Sequence, residues 1–435
     1  MKKVLLISYY WPPAGGPGSI RMVKFAHYLP KFGWKPIILT VQRGEFPYRD
    51  PSLEKDLPDG IPVFRSKSWD PFIIYKMLTG KKQDESLPVG LLTRQDEGIV
   101  EKIAAKIRTN FFIPDARLGW VPFAVKMAKK IICRENIDTI MVSSPPHSSQ
   151  LIGLILKRKT GIPWLADLRD PWTDIRYYEF SGRMKISEKI DSFFEKKVLQ
   201  KADAITTVSN KLASSFAQKA KIYKEKINIL YNGFDAFEYE NIKVEEEEKF
   251  TILYVGNLLE NQNPEVLWRV AVKLLQENVI SDRSFQIKFI GQVHSKIRNE
   301  INKMDLQKLV SFHSFRPHSE IISEIKKVSL LLMVIPRVRN NLGIVTSKLF
   351  EYLGSHRPIL VIGPPASDAG KIISNVQGSH IVDYEDEKSL ENYLKYAIQL
   401  WSSQAFYFDN RSYIHQFSRE ELTEKLSNIL YNISS

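Results

Sequence analysis

The sequence predicts an α/β protein built from two doubly wound, parallel-sheet, Rossmann-like domains. Three observations carry this. The chain has 435 residues, two to three times the common domain size. Short apolar runs alternate with amphipathic stretches. One polar, like-charged interruption, residues 240–249, reads as an exposed linker, after which the alternation restarts. The first domain is expected over 1–240, joined by a carboxyl-terminal helix from about 415 to 435, and the second over 250–414.

In the first half, 3–8 is a buried-strand run, 19–32 has helical periodicity and stops at Gly33, and 36–41 is the next strand. Helices follow at 97–108 and 121–134, a strand at 139–143, a helix over 147–160 closing at Gly161, and strands at 163–167, 205–208 and 227–230. In the second half, strands are predicted at 251–255, 286–290, 310–312, 330–335 and 358–362, with helices at 264–277, from Ser319, around 347–353 and at 419–433. Such repetition makes a parallel sheet covered on both faces, and ligands collect where its strands end.

The net charge of +13 points to anionic partners. Residues 1–200 hold 33 Lys+Arg against 21 Asp+Glu, so the excess lies in the amino-terminal half. It suits a phosphorylated substrate or an anionic membrane surface, whereas no nucleic-acid module signature is present. Cys133 is the single cysteine, which excludes an intramolecular disulfide. No apolar run reaches membrane-span length, and the opening apolar run is too short for an export signal. A cytoplasmic protein, peripheral on the inner membrane face, is expected.

The first strand runs into a loop holding Gly15 and Gly16, followed by Arg21 on the first helical turn. Glycines let backbone amides approach an anion at a helix start. Asp167, Arg169 and Asp170 follow a later strand, and His147 opens a helix after a Ser-Pro-Pro turn. Lys348 and Glu351 share a helix face, where a cation could meet a diphosphate and a carboxylate two ribose hydroxyls; an ordinary i,i+3 pair is the other reading. An Asp-x-Asp motif or a cluster with metal-ligand spacing does not occur.

The Pro-Pro-x-Gly-Gly loop, Ile113-Pro114-Asp115, Gly119-Trp120, Ser143-Ser144-Pro145-Pro146-His147, Ala166-Asp167-Leu168-Arg169-Asp170-Pro171-Trp172, Tyr231-Asn232-Gly233-Phe234-Asp235, Tyr254-Val255-Gly256-Asn257 and Ser347-Lys348-Leu349-Phe350-Glu351-Tyr352-Leu353 occur in order along the chain. As an ordered set they resemble a family 4-type glycosyltransferase of GT-B architecture. That resemblance implies two domains facing across a cleft, an acceptor held mainly by the first and a UDP- or GDP-linked sugar held mainly by the second. It implies retaining, metal-independent transfer to a glycan or lipid-linked hydroxyl in polysaccharide or related synthesis, with no cofactor beyond the nucleotide sugar.

By the same resemblance His147 and Asp170 are catalytic. Glu351, Lys348, Ser347, Thr346, Gly343, Arg316, Gly256 and Asn257 would bind the donor, and Gly15, Gly16, Arg21, Arg169 and Asp167 the acceptor. The pattern breaks in two places. Gly343 stands where many members have a glutamate, and Asn257 and Gln262 stand where many have Arg and Lys for the diphosphate. Arg337 and Arg339 are the expected substitute cations. These departures also leave room for a non-catalytic binding subunit, and a sugar-nucleotide epimerase of related fold is a third reading.

Overall fold

The structure, a computed structural model, describes residues 1–44, 46, 49–57, 60–69, 110, 112–174, 183–240, 242 and 244–434. The helix expected over 97–108 lies outside them. The chain divides into two compact units, Met1–Tyr231 with Leu422–Ser435, and Asn232–Glu421.

The first unit holds strands β1 (Lys2–Ser8), β2 (Trp34–Val41), β3 (Val63–Ser66), β4 (Thr139–Ser144), β5 (Trp164–Leu168), β6 (Ala204–Thr207) and β7 (Ile227–Ile229). They form one parallel sheet in the order β3-β2-β1-β4-β5-β6-β7. Alternate residues of β1 feed opposite cores: Leu5 and Ile7 join Leu39, Val142 and Trp164, while Val4 and Leu6 join Met22, Ile38 and Met141. The second of these layers is completed by Leu422, Leu426 and Leu430, one stripe of the terminal helix Arg419–Ile433.

Local chemistry moved some predicted boundaries. The helix expected at 19–32 starts at Pro17, which needs no amide partner at that position, and tightens into a 3-10 turn at Leu29–Phe32 around Pro30. The helix expected from His147 begins at Ser149.

The second unit holds β8 (Phe250–Val255), β9 (Phe285–Ile290), β10 (Val310–His313), β11 (Leu330–Val334), β12 (Ile359–Ile362) and β13 (His380–Val382). These are parallel in the order β10-β9-β8-β11-β12-β13. The unit starts at Asn232, earlier than the acidic linker. The Phe234 amide donates to the Phe417 carbonyl (3.2 Å) and the Phe234 carbonyl accepts from the Arg419 amide (2.8 Å). Phe234 and Tyr239 also close over Gly354, where a Cβ would come within 2.7 Å of the Phe234 ring. The tail therefore rejoins the first unit only from Leu422, not from about 415.

Strand order reverses between β1 and β4 in the first unit and between β8 and β11 in the second, and in open parallel sheets the loops leaving such strands diverge to leave a crevice. Under the first crevice runs a buried ion pair. Arg21 Nη2 lies 3.0 Å from Asp167 Oδ1, with the side chains 1% and 0% exposed. Arg21 also donates to the carbonyls of Leu230 (2.9 Å) and Tyr231. Asp167 accepts from Ser143 Oγ on β4 (2.7 Å) and Thr206 Oγ1 on β6 (2.8 Å). Arg21→Met strands a buried carboxylate and is expected to cost about 3–5 kcal/mol. Arg21→Met/Asp167→Asn should cost less than the sum of its single substitutions, measured by urea denaturation.

Candidate functional site

In the second unit the crevice is framed by the turn after β8 and the helix Ser347–Gly354. That helix is anchored three ways. Tyr352 Oη accepts from the Val255 amide (3.0 Å), Lys348 Nζ donates to Tyr254 Oη (2.9 Å), and Tyr239 Oη donates to the Glu351 carbonyl (2.9 Å). Lys348 Nζ also lies 4.4 Å above the Tyr254 ring, a cation–π contact. Gly256, at φ 103°, makes room for it, since a Cβ there would sit 2.7 Å from Nζ.

Lys348 makes no ion pair among the described residues, and burial pushes its pKa down to about 8. Burial also raises the Glu351 carboxyl above its ordinary range, against the opposing pull of His318 and Arg419. Lys348 and Glu351 share a helix face yet do not form a salt bridge with each other. The reading of an ordinary i,i+3 pair therefore does not hold. A desolvated cation and a desolvated carboxylate beside a glycine turn can take a diphosphate and a diol.

The other donor-side candidates divide. Thr346 is the N-cap residue of the helix and its hydroxyl contacts Met333 Sδ at 3.7 Å, with Ser347 next to it. Asn257 is exposed and its carbonyl accepts from Tyr254 Oη (2.9 Å). Gly343 closes the 3-10 turn Asn341–Gly343 in the loop between β11 and this helix. Gln262 is committed to backbone, donating to the Val334 carbonyl (3.1 Å) and accepting from the Leu259 amide (3.3 Å). Arg337, expected as a substitute cation, is held by Glu385 (2.7 Å) with its guanidinium over the Tyr384 ring. Arg316, expected beside the nucleotide, pairs with Glu324 (3.1 Å). Arg339 is exposed in the same loop as Arg337. His318 begins its helix one residue earlier than expected and pairs with Glu238 (3.1 Å), which raises its pKa.

In the first unit, His147 is buried and its ring is fixed on an edge and a face. Nε2 bonds the Pro171 carbonyl (3.1 Å), so Nε2 carries the proton, and the ring stacks on Trp172 at 4.9 Å and 14°. Its Nδ1 is buried with no hydrogen-bond partner among the described residues, and burial lowers its pKa. A neutral ring with an unmet acceptor results. Behind it, Trp172 Nε1 donates to Asp191 (2.6 Å), which pairs with Arg183 (2.7 Å); burial pushes the Asp191 carboxyl up to about 6 despite that charge. Asp115 takes the amide (2.8 Å) and hydroxyl (2.7 Å) of Ser148 and so pins the turn bearing His147. Sequence reasoning noticed Asp115 only as part of a motif and missed Asp191, whose signal was no more than an inward position on a helix.

Asp170 is exposed in the loop that holds His147. Arg169 lies against Gly18, where a Cβ would come within 2.5 Å of the guanidinium, and its Nε is buried without a partner among the described residues. Gly15 and Gly16 are partly exposed, but Ala14 pairs with Arg49 and the Asp50 amide bonds the Pro13 carbonyl (2.9 Å), so this segment flanks the glycines. Arg21 and Asp167 correct the expectation most. Both were expected to face an acceptor, and both are sealed in the interior, with Arg21 turned to β5 and the chain after β7 rather than to a ligand.

Two family models match the chain, Glycosyltransferase Family 4 over residues 85–236 and Glycosyl transferases group 1 over residues 235–412. No curated relative matches it. Among solved structures, Anabaena HepE in complex with UDP is 14% identical with a TM-score of 0.64, covering 99% of this chain and 100% of that one. Sucrose-phosphate synthase from Thermosynechococcus elongatus is 12% identical with a TM-score of 0.63, covering 99% of each. A TarM mutant from S. aureus, in complex with Fondaparinux, alpha-GlcNAc-glycerol and UDP, is 11% identical with a TM-score of 0.59, covering 99% of this chain and 100% of that one. At these identities the likeness is one of fold, and with the two matched models it places the sequence: the chain belongs to the family 4-type glycosyltransferases of the GT-B fold.

Proposed function

We propose that this glycosyltransferase moves a sugar from a UDP- or GDP-linked donor to a hydroxyl of a glycan or lipid-linked acceptor, with retention and without a metal, in cell-surface polysaccharide or related synthesis. The observation that carries the donor reading is the unpaired Lys348 beside Gly256 and Glu351. In this reading Lys348 and the amides at the helix start, with Ser347 and Thr346, neutralise the diphosphate, and Glu351 accepts the ribose hydroxyls. Arg339 is the remaining candidate for a second cation. Structural neighbours bound to UDP support a uridine nucleotide, and the one bound to a glycan supports that acceptor class.

Charge developing on the leaving diphosphate is what must be stabilised, and the lysine and helix N-terminus supply that. In the first unit, His147 is a neutral ring fixed by Pro171, so the role open to its buried Nδ1 is that of an acceptor. Asp170 and Arg169 stand at the same loop for acceptor hydroxyls. The amino-terminal basic excess supports a lipid-linked acceptor met at the inner face of an anionic membrane.

Lys348→Ala should weaken nucleotide diphosphate binding about ten- to a hundredfold, the worth of one charge-assisted hydrogen bond, read by calorimetry. Because the free lysine loses its proton as pH rises through about 8, and a bound diphosphate raises that pKa, binding at pH near 9 should take up a proton. Calorimetry in buffers of different ionisation enthalpy measures this uptake, which should vanish in Lys348→Arg. Glu351→Gln should erase most of the preference for UDP or GDP over the matching 2′,3′-dideoxynucleotide. Turnover of the correct nucleotide sugar should persist in excess chelator and require an acceptor; product from donor alone would identify an epimerase instead.

A further inference from the structure

The helix Lys185–Lys201 has two faces of opposite character. Inward, Ser187, Asp191, Glu195, Val198 and Leu199 are buried. Asp191 and Glu195 there hold the loop after β5 through Trp172 and Thr173. Outward, Ile186, Ile190 and Phe193 are 64%, 41% and 55% exposed. Their i, i+4, i+7 spacing sets them on one stripe, and Met184, 44% exposed, stands just before the helix. Single exposed apolar side chains are ordinary, but four within ten positions form a continuous patch that calls for a partner.

The charges choose the partner. Lys185, Lys189, Lys196 and Lys201 are exposed on this helix, and Lys197 Nζ lies 5.5 Å from the Phe193 ring. Two of the three acids, Asp191 and Glu195, are turned inward, which leaves Glu188 as the exposed one. A second copy packed on this stripe would set lysines against lysines. An anionic bilayer instead receives the apolar stripe between its head groups and attracts the lysines beside it. No helix among the described residues is long and apolar enough to cross a membrane, so this one would lie in the interfacial plane.

We propose that the outward face of Lys185–Lys201 is the surface by which the enzyme docks on an anionic lipid bilayer, an inference that rests on the membrane-face reading given above. The test is co-sedimentation of the full chain with phosphatidylcholine vesicles, with and without phosphatidylglycerol. The wild-type protein should bind the anionic vesicles and release in high salt. Ile190→Ser/Phe193→Ser and Lys185→Glu/Lys189→Glu should each lower partitioning about tenfold or more, with thermal midpoints close to wild type. The second variant changes only exposed lysines, so it reports docking even where the first loses stability. Wild-type binding that both variants retain overturns this surface and leaves the membrane reading standing. No wild-type binding to anionic vesicles overturns both. Self-association in sedimentation that the variants abolish, without vesicle binding, assigns the stripe to a second copy and overturns the proposal.

Discussion

The first unit is organised around one buried charge pair. Burial alone would raise the Asp167 carboxyl, but the charges of Arg21 and Arg169 and the bonds from Arg21 and Ser143 outweigh it and hold the pKa below the ordinary range. A carboxylate in that position must be satisfied on every side. The demand recruits the first helix, β4, β6 and the chain after β7 to one atom pair. β5 is thereby fixed in height relative to β4, and with it the loop that follows. His147 is held by that loop through Pro171 and Trp172, so the geometry of its buried Nδ1 descends from an ion pair it never touches.

The second unit solves a different problem. It keeps a lysine that makes no ion pair among the described residues, which rests on its surroundings rather than on an ion-pair lattice. The Tyr254 ring and hydroxyl give Lys348 a partial substitute for water, and Gly256 leaves the space. Four other cations of the unit are committed to ion pairs. Arg316 and Lys288 converge on Glu324, and Arg337 and Arg269 on Glu385. Against that background Lys348 stands out by what it lacks.

The sequence made the alternation of strands and helices legible because buried parallel strands such as β1 and β11 are near-continuous apolar runs. Motif order also pointed to both crevices. What could not be read was which motif residues face a ligand and which face the interior. Arg21 lies in the first turns of the helix after β1 and Asp167 near the end of β5, positions where ligand residues are found, and only the packing of β4 to β7 shows them to be sealed. Gly119 was legible as a motif, yet its reason is the Trp69 carbonyl, 1.9 Å from where a Cβ would stand. The domain boundary was misplaced for a related reason. An acidic run marks exposure, whereas the real division follows Phe234 and Tyr239 into their sites around Gly354.

The uncompensated lysine also carries a thermodynamic consequence. Its folded pKa, about 8, is below the ordinary lysine value of 10.5, so the unfolded chain binds the extra proton between those values. Stability must rise with pH across that window, and below it the charged lysine costs on the order of 3 kcal/mol. A core that evolved for stability alone would have replaced it. In the function proposed above, a bound diphosphate would restore the missing counter-charge, and the deficit carried by the free protein would become binding energy directed at the anion. On this view Asn257 and Gln262 are tolerable in place of basic residues because Gln262 is needed to tie the turn to β11, while the electrostatic work is concentrated in one desolvated cation, where a charge acts most strongly.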